Sequence, residues 1–370
     1  MLGEITYLRW LREAFHRARY SLASSGAPPP PAEILTELLP DPIEAMAARP
    51  AVGPARLEAA VARRYQVPEP CVLATAGTTG GVFQVLAAHV EAGTPVVIET
   101  PTYGPLRQAA RGLGARIVDL PRRRRDGFLP DPDELARHFA NGARLALLTD
   151  PHNPSGVCLP EDRWVALREV AAAHGATLVV DEVYRELSSQ VAQSAFVAGG
   201  PIVAVSSLTK AWGLGSLRAG WILAEPPLRR RLAAAGDALW PGGIEPSATV
   251  AAAVVGSRLG ETLLTAAREH LDAVWPMVAA TLAGRPGVAA TGVRCHAFLD
   301  LGRPATSFAE TLLATTGTLT VPGVHFGDPN GLRVAFFGPR GEVECGLRHL
   351  TRALDALPPG TGGRTAPGAI

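Results

Sequence analysis

Apolar residues recur at two different spacings along this chain, and the change near residue 72 divides it. Over residues 4–20, Ile5, Leu8, Leu11, Phe15 and Ala18 fall every three or four positions, which predicts an amphipathic N-terminal helix. Ser24-Ser25-Gly26 and the run Pro28 to Pro31 break that pattern. An extended arm with little packing of its own is expected there, so residues 1–40 read as a helix followed by an arm. A second helix, over 54–65, starts at Pro54 and sets Leu57, Val61 and Tyr65 on one face.

After residue 70 short β-rich runs alternate with helical stretches. Strands are predicted at 71–75, 95–99, 116–119, 145–149, 177–181, 202–206 and 219–224, with helices near 79–91, 104–112, 131–140 and 161–174. This alternation predicts an α/β fold, a mainly parallel sheet covered on both faces, within a large domain over 41–243. Beyond it lie a helical region to about 283, β-like segments near 293–301, 317–321 and 331–336, and a closing helix at 342–356. These predict a smaller α+β domain over 244–357. The Gly- and Pro-rich tail 358–370 reads as disordered.

Composition narrows the function classes. A formal net charge of +1 gives no electrostatic case for nucleic acid or for a membrane surface. Cys71, Cys158, Cys295 and Cys345 are far apart, without metal-ligand spacing, and read as reduced thiols. The charged N-terminus lacks a signal-peptide run, and no apolar stretch has the length of a membrane span. A cytoplasmic protein is expected.

Candidate chemistry then separates one residue from all others. Lys210 is the only lysine among 35 basic residues. Arginine replaces lysine on surfaces and in most ion pairs, but a guanidinium does not lose its proton to attack a carbonyl. A lone surviving lysine therefore reads either as amine chemistry, with Schiff-base formation first, or as a surface lysine that escaped replacement by chance. Ligands of parallel sheets sit beyond the carboxyl ends of the strands. Gly77-Thr78-Thr79, Tyr103, Asn153, Asp181 and Lys210 each follow or end one of the predicted strands. Gly77-Thr78-Thr79 reads either as a phosphate site at a helix start or as a plain N-cap. The stretch Asp150 to Gly156 is a tight turn that leaves Asn153 unassigned. Asp181, at the mouth of an apolar strand, needs either a protonated ring nitrogen or an arginine. Ser207 and Arg218 flank Lys210 within reach of a phosphate, and Arg333, inside an apolar strand, wants a carboxylate.

Ser207-x-x-Lys210 with Arg218, Asn153-Pro154-Ser155-Gly156, Asp181-x-x-Tyr184, Pro101-Thr102-Tyr103, the segment Val321 to Gly327 and the late Arg333 together resemble the class I/II aminotransferases of the pyridoxal-phosphate (PLP) type I fold. The resemblance covers roughly residues 30–356. It implies that Lys210 forms the internal aldimine and moves the α-proton, and that Asp181 keeps the pyridine nitrogen protonated. It implies that Tyr184 and Asn153 bond the ring oxygen and that Tyr103 stacks on the ring. Thr78, Thr79, Ser207 and Arg218 would bind the phosphate, and Arg333 would clamp the substrate carboxylate. The family's partners are an L-amino acid and a 2-oxo acid, and a homodimer is implied.

The sequence also departs from the family. The tyrosine often found some five residues before the glycine matched by Gly53 is absent from Ala47-Ala48-Arg49-Pro50, which puts a phosphate bond between subunits in doubt. Arg294-Cys295-His296-Ala297-Phe298 replaces a Gly-Gly-aromatic run. His296 reads either as a residue facing substrate or as a loop histidine. No second arginine appears near Leu239-Trp240-Pro241 for a side-chain carboxylate, and Trp240 reads as a pocket wall or as core. The run Arg122 to Arg125 reads as a solvated loop. Two other reactions fit part of the pattern. Trp10-Leu11-Arg12-Glu13 with Ser24-Ser25-Gly26 is similar to the start of capreomycidine synthase, a PLP cyclase, so cyclisation, elimination or oxidation is the alternative to transamination. A PLP-binding regulator would need a fused DNA-binding domain, for which residues 1–40 are too short.

Overall fold

The computed structural model describes residues 4–36, 47, 49, 51–188, 194–241, 243–283 and 292–357. The tail 358–370 lies outside them. Seven strands form the main sheet: β2 (Val72–Thr75), β3 (Pro95–Thr100), β4 (Arg116–Pro121), β5 (Leu145–Thr149), β6 (Thr177–Asp181), β7 (Ile202–Ser207) and β8 (Gly220–Leu223). Their order is β2-β8-β7-β6-β5-β3-β4. All run parallel except β8, which is antiparallel to both neighbours. The reversal follows from the connection: residues 208–219 make no crossover helix, so the chain must return in the opposite direction.

The central strands are apolar on both faces because helices cover both. Every residue of β5 and β7 is buried. One face packs under α4 (Gly77–His89), α5 (Gly104–Gly112) and α8 (Pro226–Asp237), through Val82, Val85, Leu106 and Leu232. The other packs under α6 (Pro132–Ala140) and α7 (Glu161–Ala173), through Leu135, Phe139, Trp164 and Leu167. Helix α6 starts where the sequence says it should: Pro132 occupies the first turn, and the Asp131 side chain accepts the Asp133 N–H at 2.9 Å.

Two further helices, α9 (Ser247–Val254) and α10 (Arg258–Leu282), lead to a three-stranded antiparallel sheet of order β11-β12-β9. Its strands are β9 (His296–Asp300), β11 (Val321–Pro322) and β12 (Gly331–Ala335), and Arg333 is registered between Phe298 and Val321. Helix α11 (Ala305–Thr316), which the sequence reading missed, buries Ala305, Ala309, Leu312 and Leu313. Its threonines are poor helix formers, and packing of that apolar face overrides them. A closing helix, α12 (Arg340–Asp355), covers the same core.

The arm departs from expectation. Helix α1 (Thr6–Phe15) ends sooner than the spacing predicts, α2 (Ala32–Thr36) and α3 (Val52–Tyr65) follow it, and β1 (Tyr20–Ser21) pairs parallel with β10 (Thr318–Leu319). Leu22 is fully buried, and its carbonyl accepts the Ala335 N–H at 2.8 Å. Residues 20–27 are extended but tightly packed, because their backbone extends the small sheet system rather than running over solvent.

Candidate active site

The carboxyl edge of the main sheet and the N-terminal segment enclose a cavity of about 250 Å³. Thr78 and Thr79 enter it from the start of α4, Tyr103 from the turn after β3, Asn153 from the turn after β5, and Asp181 and Tyr184 from the end of β6. Ser207, Lys210 and Arg218 enter from the β7–β8 connection, and Arg333 from β12. All ten residues singled out in the sequence face this one space.

One end of it is built for an anion. Helix α4 opens at Gly77, and its N-cap Ala76 makes no side-chain capping bond, so Thr78 is not the cap. The first-turn N–H groups of a helix have no helical acceptor and carry the positive end of its dipole. Thr78 Oγ1 donates to Ser207 Oγ at 2.9 Å, and Ser207 Oγ donates to Thr209 Oγ1 at 3.0 Å, which fixes three hydroxyls along one wall. Gly77 has φ +71°, and a Cβ there would lie 2.8 Å from Arg218 Nη2. Only glycine lets the guanidinium cross the helix start, which leaves a cradle of hydroxyls, N–H groups and one arginine that fits a phosphate monoester.

At the other end, charges are buried without their usual partners. Asp181 is 8% exposed, and its carboxylate accepts the Val183 N–H at 3.0 Å. No arginine or lysine lies within ion-pair distance of it among the described residues, so the arginine alternative fails. Desolvation pushes its carboxyl up to about 7. A protonated ring nitrogen would reverse that shift by supplying the missing positive charge. Desolvation, and then the nearby Arg333, bring the Lys210 amine down to about 8. Arg333 is 1% exposed and donates to Asn153 Oδ1 at 3.1 Å, Tyr7 Oη at 3.1 Å and Ala23 O at 3.2 Å. Its Nε has no partner, and no carboxylate pairs with it among the described residues. A substrate carboxylate is the ligand such a guanidinium lacks. With Asn153 Oδ1 committed to Arg333, the Asn153 amide nitrogen is the donor left for a ring oxygen.

The N-terminal segment supplies a further wall. Tyr7, Leu8 and Leu11 of α1 and Ser25 of the arm line the cavity. Tyr7 meets Tyr103 edge to face, with centroids 5.6 Å apart and planes at 81°. Helical spacing marked Leu8 and Leu11 as an apolar face, but nothing local says that this face closes a site.

Three other readings are corrected or decided. Arg122 is not solvated: it is 1% exposed, pairs with the buried Glu99 at 2.7 Å and donates to Thr149 O at 3.1 Å. Arg124 likewise reaches Asp328 at 2.8 Å and lies over Phe298, and Arg125 alone of the run has a side chain 73% exposed. His296 neither faces the cavity nor sits in a loop. It opens β9 behind Tyr184, centroids 5.1 Å apart, and burial lowers its ring to about 3. Trp240 is half-buried and lies over Gly80, outside the cavity wall. Among the described residues no cluster of His, Cys, Asp or Glu suits a metal ion, and no single helix is long and apolar enough to cross a membrane.

The sequence of the aminotransferase class I and II family matches residues 44–350. The chain belongs to that family. It is a PLP-dependent aminotransferase-family enzyme of the type I fold. Capreomycidine synthase of Streptomyces vinaceus is 31% identical to it over 93% of this chain and 92% of that protein. Valine–pyruvate aminotransferase of Mycobacterium tuberculosis is 26% identical over 84% of this chain and 87% of its own length. A PLP-dependent aminotransferase from Streptococcus suis shares the fold at TM-score 0.85, with 23% identity, covering 96% of this chain and 98% of that one.

Proposed function

We propose that this aminotransferase-family enzyme moves the amino group of an L-amino acid to a 2-oxo acid, with PLP bound at Lys210. One observation carries the proposal: the chain's only lysine, with its amine brought down to about 8, shares a cavity with Arg333, which pairs with no carboxylate among the described residues. The N–H groups of the first turn of α4, Thr78, Thr79, Ser207 and Arg218 would hold the phosphate. Asp181 would keep the ring nitrogen protonated, Asn153 and Tyr184 would face the ring oxygen, and Tyr103 the ring. When bound, PLP supplies the electron sink that accepts the electron pair left at Cα. Arg333 holds the substrate carboxylate and so orients the Cα–H bond, while the neutral Lys210 amine takes that proton. Closure by Tyr7, Leu8 and Leu11 excludes water from the exchange. Beyond Lys210, Arg218 and Arg333 no cationic side chain lines the wall among the described residues, which favours substrates without a side-chain carboxylate.

A second reading, amino-acid cyclisation, elimination or oxidation on the same residues, is favoured by one observation. The likeness to capreomycidine synthase covers 93% of this chain and so extends beyond the family match over residues 44–350. A half-reaction separates the two. The PLP-loaded enzyme is mixed with single L-amino acids, arginine included, without a 2-oxo acid, first without oxygen and then with oxygen admitted and its consumption followed. Transamination yields one 2-oxo acid and one pyridoxamine phosphate per site. Ammonia or a cyclised product, with the cofactor returned as PLP, decides for the second reading.

A further inference from the structure

We infer that Ser25 is a positioning residue for the lysine amine, set between Lys210 and Tyr184 so that it fixes which way both groups point. The inference rests on the reading of Lys210 as the base given above. Ser25 is 4% exposed and comes from the arm, 185 residues from the lysine. Its Oγ lies 3.4 Å from Lys210 Nζ and 2.7 Å from Tyr184 Oη. The arm is pinned to the lysine's own backbone: the Ala27 N–H donates to Lys210 O at 2.7 Å. A Cβ on Gly26 would sit 2.9 Å from Lys210 Cδ, so the arm lies flat against the lysine stem.

The directions of these bonds follow from donor counting. A serine hydroxyl has one proton and two lone pairs. A protonated Lys210 amine can only donate, so Ser25 accepts from it, and Tyr184 Oη is the one acceptor within hydrogen-bond distance of the Ser25 proton among the described residues. Tyr184, 3% exposed, then accepts from Ser25, and its phenolic proton turns away into the cavity, where the cofactor's ring oxygen is expected. When Lys210 is neutral the same arrangement holds one N–H toward Ser25 and leaves the lone pair free for the substrate proton. The charged and titratable groups around the amine are Arg333, Cys295, Asp181, Arg218, Tyr184 and His296. None of them bonds Nζ among the described residues, which leaves Ser25 as its one hydrogen-bonding partner there.

The single lysine makes a direct test possible. Protein labelled with ¹³C-lysine gives one side-chain signal, that of Lys210, whose pH midpoint can be read in the apoenzyme without cofactor or turnover. Ser25→Ala removes the acceptor and should lower the midpoint by about half to one pH unit. Ser25→Thr keeps the hydroxyl and should keep the midpoint. Tyr184→Phe frees the serine proton to turn toward the amine and should lower the midpoint as well, which keeps the test open if Ser25→Ala does not fold. In the PLP-loaded enzyme, Ser25→Ala should lower kcat about 10-fold with KM changed less than about twofold. Midpoints unmoved, within about 0.2 pH unit, in both Ser25→Ala and Tyr184→Phe would overturn the inference. That result with PLP still attached to Lys210 removes Ser25 alone, whereas failure of PLP to attach to Lys210 removes the proposed function.

Discussion

At the scale of single residues, the site rests on charges whose partners come from outside the chain. Arg333 holds neutral acceptors and keeps an unbonded Nε. Replacing it with alanine should raise KM for the amino acid about 10- to 100-fold while PLP stays bound, as measured by steady-state kinetics beside cofactor absorbance. Arg333→Lys should recover little of the loss, since an ammonium does not form the two parallel bonds of a guanidinium. Asp181→Asn should retain PLP through its phosphate but lower turnover about 100-fold or more, because a neutral amide does not keep the ring nitrogen charged. Asp181 was legible in the sequence because it ends a recognisable apolar strand, and Arg333 because it is a charge inside one. Ser25 was marked only by the resemblance of Ser24-Ser25-Gly26 and Tyr7 not at all, since both reach the site from the far end of the chain. Arg122 was misread for a related reason. A run of four arginines looks solvated until the buried Glu99, on the neighbouring strand, is seen to need a cation.

At the scale of elements, the β2–α4 turn and the β7–β8 connection carry the geometry. Gly77 is held at φ +71° with the Arg218 guanidinium over it. Gly77→Ala should cost about 1–2 kcal/mol of stability from the left-handed backbone alone. It should also weaken PLP binding, since the new methyl displaces Arg218; equilibrium dialysis against PLP would measure this. The strands of the main sheet were legible because their both-sided burial writes continuous apolar runs. The antiparallel turn of β8 was not, because strand direction depends on whether a crossover fits between two runs and not on the runs themselves. Helix α11 shows the opposite failure, with threonine-rich local propensity hiding a helix that tertiary packing imposes.

At the scale of the whole molecule, burial of the site's charges should set how stability depends on pH. Asp181 moves from its ordinary 3.8 up to about 7 in the fold, so the folded apoenzyme binds the proton more tightly than the unfolded chain. Its contribution is therefore fully present below pH 3.8 and is lost as pH rises through about 7. Apoenzyme melting temperature should fall less steeply across that window in Asp181→Asn than in the wild type, as scanning calorimetry would show. Saturating PLP should flatten the wild-type slope as well, because the ring nitrogen stabilises the charged carboxylate. The resemblance implies a homodimer, and sedimentation should give about twice the chain's 38.7 kDa. A single site made from the sheet edge, the small sheet and the arm was legible only as a list of residues, because the sequence does not say which distant segments close over a strand end.

PLP in this cavity is proposed to be held covalently by Lys210. Borohydride reduction of the PLP-loaded enzyme, followed by peptide mass mapping, reads out that bond. With only one lysine in the chain, one pyridoxyl group per chain is expected, on the peptide containing Lys210, and none in Lys210→Ala. PLP trapped at the N-terminal amine, or an unmodified Lys210 peptide from saturated enzyme, would contradict it.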